Sequence, residues 1–482
     1  MKSVQLLING EFVSAESGQK FQRINPITNE IATEAAAAQP SDVNAAIISA
    51  QSAFKKWSAL SPTERRLKLL KAADLMEKRT EDFILTARAE TGSTDSWYGF
   101  NVQLSANILR EAAAMTTQID GSILPTDLKD NISMGVRVPC GVILSIAPWN
   151  APLILATRAI ALPLACGNSV ILKASENCPA THILLGEVLN EVLDPGVVNV
   201  ITNAPKDAGT IVEQLIAHPF VKRVNFTGSS KVGEIIATLS AKYLKPALLE
   251  LGGKAPVIIC DDADIDQAVS GVAFGAFFNQ GQICMSTERL IVHESIAEAF
   301  LDKLVSKIQK IKVGHPDNKE TTFAYLESHQ SVERIKKLID DAVKKGAELP
   351  LPLKIDGTLM SPLIVNKIKP EMKLYYEESF GPVVTMTTYS DDDDAITMAN
   401  DSIYGLSSAV YSENISRALL IAKQIESGIC HINGATVHDE AQAPFGGVKN
   451  SGYGRFGSKF AIDEFTEVRW ITIQTAPRSY PL

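Results

Sequence analysis

The chain has 482 residues, 45% of them apolar, enough for more than one folded unit around a large buried core. Its 46 basic and 55 acidic side chains leave a net charge of −9, which argues against a nucleic-acid partner or an anionic membrane surface. Six cysteines, the nearest two being Cys166 and Cys178, exclude a CxxC metal or redox motif and a disulfide scaffold, so a reducing cytoplasm is the expected setting.

The N-terminal stretch MKSVQLLINGEF lacks the apolar core of a secretion signal. Residues 42–57 and 62–90 carry apolar positions at helical spacing. Residues 118–139 read as extended strand. The apolar stretch from Gly141 to Leu172 has the length of a membrane span, but three prolines, Asn150 and Arg158 interrupt it. It reads better as a buried strand, a turn and a packed helix. GVILSIAP and SVILKAS are unbroken apolar runs, the mark of parallel strands covered on both faces. ATHILLGEVLNEV, VVNVIT, KDAGTIVEQLIAH and VKRVNFTG continue the alternation of helix and strand, which predicts a doubly wound α/β sheet. A second α/β unit starts near Leu251 and runs to about 447. Residues 462–482 again read as strand outside both sheets.

Five segments carry residues suited to chemistry, each with a plainer explanation beside it. FTGSSKVG places Gly228 and Ser229 between a strand and a helix, where free N–H groups suit an anion; an ordinary turn explains it equally. LKASE puts Lys173 and Glu176 at a strand end, suited to ribose hydroxyls or a surface pair. LLELGGKAP sets Glu250 in an apolar strand, where desolvation raises a carboxyl toward the range of a general base; a structural glutamate stays open. APWNAP holds Asn150 on a turn, as an oxyanion donor or as a turn former. FNQGQICMS carries Cys284, as a nucleophile or as an inert buried thiol. The four aspartates at 391–394 read as a helix cap rather than a metal site.

Together PWNAP, LKASE, FTGSS, LELGGKAP, FNQGQICMS, EESFGPV, HING and PFGGVKNSGYGR resemble the aldehyde dehydrogenase superfamily along essentially the whole chain. SWYGFNV, REAAAMTTQIDG and HINGATVHDEAQAPFGG are most similar to bacterial vanillin and salicylaldehyde dehydrogenases. The resemblance implies a Rossmann-like NAD domain (1–117 and 140–251), an α/β catalytic domain (252–461) and a small bridging sheet (118–139 and 462–482) that builds a homodimer or homotetramer. It implies Cys284 as nucleophile, Glu250 as general base and Asn150 as oxyanion donor. Lys173 and Glu176 would hold the adenosine ribose of NAD, and Gly228 and Ser229 the pyrophosphate. Glu378 and Phe380 would position the nicotinamide ribose and ring. Glu176 favours NAD, although NADP use stays open. The resemblance also puts Ala151 and Arg158 on the wall of the aldehyde tunnel, with Ile283 and Met285 beside the thiol. There Ala151 leaves room for an aromatic ring, and Arg158 either donates to a ring oxygen or pairs with a buried acid. Oxidation of aliphatic or semialdehyde substrates, thioester transfer to coenzyme A and a non-catalytic role are the other readings that the same motifs allow.

Overall fold

The computed structural model describes residues 1–481. Its first sheet has eight strands in the spatial order Gly452–Tyr453, Ala247–Glu250, Val221–Thr227, Val142–Ile146, Ser169–Lys173, Val198–Ile201, Leu6–Ile8 and Glu11–Val13. The five strands from Ala247–Glu250 to Val198–Ile201 run parallel, and the pairings at both edges are antiparallel. Alternate side chains of the central strands enter different cores. Ile143, Val170 and Leu172 pack on one face, and Val142, Leu144 and Ile171 on the other. Burial on both faces is why these segments lack polar alternation.

The chain lays Ser169–Lys173 and Val198–Ile201 on one side of Val142–Ile146, then returns to add Val221–Thr227 and Ala247–Glu250 on the other. The loops leaving Ile146 and Thr227 therefore part in opposite directions and open a crevice at the carboxyl ends of the strands. All fourteen residues of the helix Pro152–Ala165, which descends from that crevice, are buried. Its last carbonyls are satisfied from outside: Trp57 Nε1 donates to Leu164 O at 3.0 Å, and Arg65 Nε donates to Ala165 O at 3.1 Å. Among the described residues no helix is long and apolar enough to cross a membrane.

The second sheet has six parallel strands in the order Leu363–Asn366, Val383–Tyr389, Thr287–His293, Ala255–Ile259, Ser407–Tyr411 and Ile429–Ile432. A third sheet pairs Thr466–Gln474 with Asn131–Pro139 over nine residues, with Ser122–Leu124 on the far edge. It presents Val468, Trp470 and Ile123 to solvent, the last two at 73% and 75% exposure.

Three local features differ from the sequence reading. Residues 62–90 form two helices, Pro62–Lys78 and Thr80–Thr91, because Arg79 leaves the helical region (φ −98°, ψ 17°) without a glycine or proline to signal it. Lys2–Val4, Ile31–Ala36 and Lys20–Ile24 form a further small sheet that has no counterpart in that reading. Gly452–Tyr453, inside the 252–461 segment, pairs with Ala247–Glu250 and so closes the edge of the first sheet.

That edge depends on Gly452, whose φ is +113° and whose added Cβ would stand 2.0 Å from Leu249 O. Gly452→Ala is expected to cost roughly 2 kcal/mol or more and to displace Glu250 with its strand. Thermal unfolding and turnover measured together check it; an unchanged midpoint with full activity would show that the edge pairing is dispensable.

Candidate active site

The carboxyl ends of the first sheet face segments that precede strands of the second. Pro148, Trp149 and Asn150 follow Val142–Ile146, Gly228 and Ser229 follow Val221–Thr227, and Glu250 is the last residue of its strand. Opposite them, Cys284 lies on the loop before Thr287–His293, and Glu378 and Phe380 lie before Val383–Tyr389. These residues line one cavity of about 350 Å³.

The cysteine loop has an unusual backbone. Asn279, Gln280 and Gly281 are consecutively left-handed (φ 49°, 57° and 71°). Two of these are not glycine, so the conformation is strained and must be held by neighbours. Ser93 Oγ donates to Asn279 Oδ1 at 2.6 Å, and Asn279 Nδ2 donates to Asn150 O at 3.1 Å. Asn150 Nδ2 in turn donates to Gln282 O at 3.0 Å. A Cβ at Gly281 would sit 2.1 Å from Gly381 O, so only glycine lets the cysteine loop approach the Glu378–Phe380 turn this closely. The amide of Asn150 keeps its second N–H for a ligand beside Cys284.

Burial dominates the electrostatics. It pushes the Glu250 carboxyl up to about 7, against the opposing pull of Cys284 and Arg158. Among the described residues Glu250 Oε1 has no hydrogen-bond partner. Burial, reinforced by Glu250 beside it, raises the Cys284 thiol well above its usual range, so the resting sulfur is protonated. Burial, with the nearby Glu288 carboxylate, also pushes Glu378 up to about 8, although Gly253 N donates to its Oε1 at 2.8 Å. Glu288 anchors the same turn: it pairs with Lys254 and accepts from the backbone N–H of Ser379 and Phe380 at 2.9 and 3.0 Å.

At Gly228 and Ser229 the cavity continues into a second arm of about 430 Å³ that ends at Lys173 and Glu176. Lys173 Nζ pairs with Glu176 Oε1. Ser229 caps the helix Ser230–Lys242, whose first N–H groups have no partners within the helix. A carboxylate and an ammonium at one end, a helix N-terminus midway and the Glu378 carboxyl at the other end suit a dinucleotide laid along the crevice.

Another cavity, of about 390 Å³, reaches Cys284 and Asn150 from the opposite side. Trp97 and Phe445 form its buried walls, while Phe100 and Phe274 are partly exposed. Phe278 stands edge-on to Trp97 at 5.0 Å and stacks on Phe274 at 4.7 Å. Trp97 Nε1 donates to Asn150 O at 3.2 Å, which couples the aromatic wall to the asparagine. Ala151, Ile283, Met285 and Arg158 all line this space and are buried. Arg158 both reaches the cavity and pairs with an acid: Nη2 donates to Asp439 Oδ2, and the guanidinium lies 4.2 Å from the Phe445 ring centroid. The aromatic walls, Asp439, Arg334 in the lining of the first cavity and the Glu288–Lys254 pair are not among the residues that the sequence singles out. Of these, only Phe274 and Phe278 leave a trace in the sequence, four positions apart at the end of one helix.

The model of the family described as "Aldehyde dehydrogenase family" matches residues 12–471. The chain is 54% identical to a vanillin dehydrogenase of Pseudomonas fluorescens, covering 100% of both chains. It is 47% identical to a salicylaldehyde dehydrogenase of Pseudomonas putida, covering 99% of both. The crystal structure of a salicylaldehyde dehydrogenase from Pseudomonas putida G7 complexed with salicylaldehyde superposes with a TM-score of 0.98 at 46% identity over 100% of each chain. With a match of this extent and the cysteine, glutamate and asparagine gathered at one cleft, the chain belongs to the aldehyde dehydrogenase family.

Proposed function

We propose that this chain oxidises aromatic aldehydes, hydroxylated or methoxylated benzaldehydes in particular, to carboxylic acids with NAD as hydride acceptor. The observation that carries this reading is the aromatic-walled cavity of about 390 Å³ that reaches Cys284, to whose wall Ala151 contributes only a methyl group. The similar vanillin and salicylaldehyde dehydrogenases support the substrate class.

In this reading Glu250 takes the thiol proton and the Cys284 sulfur attacks the aldehyde carbon, while the carbonyl electron pair moves to oxygen. The free N–H of the Asn150 amide and the Cys284 backbone N–H hold that oxyanion, each preorganised donor being worth ~3–4 kcal/mol. Lys173, Glu176, Gly228, Ser229, Glu378 and Phe380 would hold NAD, which would supply the hydride acceptor needed to take the adduct on Cys284 to a thioester. Glu250, having shed its proton to solvent, then deprotonates a water whose oxygen attacks the thioester. The carbon–sulfur bond breaks, the acid departs and the thiol is restored. A base placed beside the sulfur favours hydrolysis over transfer to coenzyme A. Arg158 lies where it would donate to a phenolic or methoxy oxygen. The apolar outer face of Thr466–Gln474 suits a homodimer or homotetramer contact in a cytoplasmic protein.

Because Glu250 must be ionised to activate water, deacylation is low below about 7 and rises as pH passes through that value. Glu250→Gln should slow both the NADH burst, for want of a base for the thiol, and the steady phase, and should lose this pH limb. A burst at the wild-type rate, with only the steady phase slowed, would remove Glu250 from the first step. Cys284→Ala should abolish oxidation while the dinucleotide still binds.

A panel of aldehydes tests the substrate class. Vanillin, salicylaldehyde, 4-hydroxybenzaldehyde or benzaldehyde is expected to exceed propanal in kcat/KM, and Ala151→Phe should depress the aromatic substrates at least tenfold more than propanal, the scale of ~1–3 kcal/mol for pocket fit. Propanal ahead of all four aromatic aldehydes would sink the assignment.

A further inference from the structure

Glu176 is held by two donors on one oxygen. Lys173 Nζ and Asn203 Nδ2 both reach Oε1, the amide at 2.8 Å. Asn203 lies just past the strand Val198–Ile201, which runs beside the strand that ends in Lys173. It is fully buried. Its orientation follows from its surroundings, since Nδ2 faces two acceptors, Glu176 Oε1 and the Ala204 carbonyl at 3.0 Å. The other end of the same amide, Oδ1, is buried without a hydrogen-bond partner among the described residues. Folds rarely keep an unsatisfied buried oxygen, so the retained amide points to a use for its nitrogen.

The two donors differ in kind. Lys173 is a point charge on a flexible stem and can follow a carboxylate that moves. The Asn203 amide is tied to the backbone at Ala204 and cannot. With both lone pairs of Oε1 taken, only Oε2 is left to accept from a ligand. Burial alone would push this carboxyl up, but Lys173 and Asn203 together hold it below its usual range, so it stays charged.

We propose that Asn203 is a positioning residue for cofactor choice: it pins Glu176 so that Oε2 accepts from the adenosine 2′-hydroxyl and a fixed negative charge opposes a 2′-phosphate. The inference rests on the reading above that Glu176 faces the adenosine ribose. A glutamate freed from the amide swings aside with Lys173 and admits NADP.

The test is a binding titration of the full-length protein. NAD and NADP are titrated against wild type, Asn203→Leu, Asn203→Ala, Glu176→Gln and the Asn203→Leu/Glu176→Gln double variant, read by quenching of tryptophan fluorescence; Trp149 lines the dinucleotide arm. The ratio of the NADP to the NAD dissociation constant should fall about tenfold in both Asn203 variants, the factor that matches loss of one hydrogen bond to a carboxylate. It should fall at least as far in Glu176→Gln, and no further in the double variant, because Asn203 acts through Glu176. The kcat/KM ratio should move in parallel. Equal weakening of both dinucleotides in the Asn203 variants, with Glu176→Gln still shifting the ratio, would reduce Asn203 to a structural residue and overturn the proposal. An unmoved ratio in Glu176→Gln would instead overturn the underlying reading of Glu176.

Discussion

Asn150 carries hydrogen bonds in both directions across the cleft. Its amide donates to Gln282 O, and its carbonyl accepts from Asn279 Nδ2 and Trp97 Nε1. One residue at a strand end of the first sheet thereby fixes the loop that carries Cys284 and leans on the aromatic wall beyond it. The left-handed run Asn279–Gly281 would relax to commoner conformations without such partners. The site is thus assembled by cross-bracing between the two sheets, and no single element presents it alone.

The same cross-bracing recurs at the other end of the crevice. The turn Glu378–Phe380 has its N–H groups on Glu288, and Arg334 donates to the carbonyls of Glu378 and Ser379. Phe380 is itself left-handed (φ 45°), a conformation that a bulky residue adopts only under such constraint. Glu288 lies four residues after Cys284 at the start of the next strand, so the cysteine and the Glu378–Phe380 turn share one rigid anchor.

Much of this architecture is legible in the sequence because each signal is local. Unbroken apolar runs mark strands buried on both faces, and FTGSSKVG marks the passage from strand to helix. The Asp391 cap of the helix Asp392–Asn400 follows from the aspartate run in the same way. What is not legible depends on contacts across long stretches of sequence. Asp439 meets Arg158 over 281 residues, Glu327 meets Arg23 over 304, and Gly452 returns to the edge beside Glu250. The break at Arg79 is invisible for the opposite reason, since Glu77, Lys78, Arg79 and Glu81 are good helix formers and no glycine or proline stands among them. For Arg158, facing the cavity and pairing with an acid looked like alternatives in the sequence, yet a guanidinium with five donors does both.

The protonated state of the Cys284 thiol bears on the protein's durability as well as on its chemistry. Oxidation by peroxides and exchange with disulfides both start from the nucleophilic thiolate, and the burial and neighbouring carboxylate that raise this sulfur keep that form scarce in the resting molecule. On the proposed mechanism the sulfur becomes vulnerable only when Glu250 takes its proton, a moment at which an aldehyde held beside it would react first. A thiol kept quiescent in this way can persist through oxidative conditions that would convert an exposed, ionised cysteine to sulfenic acid.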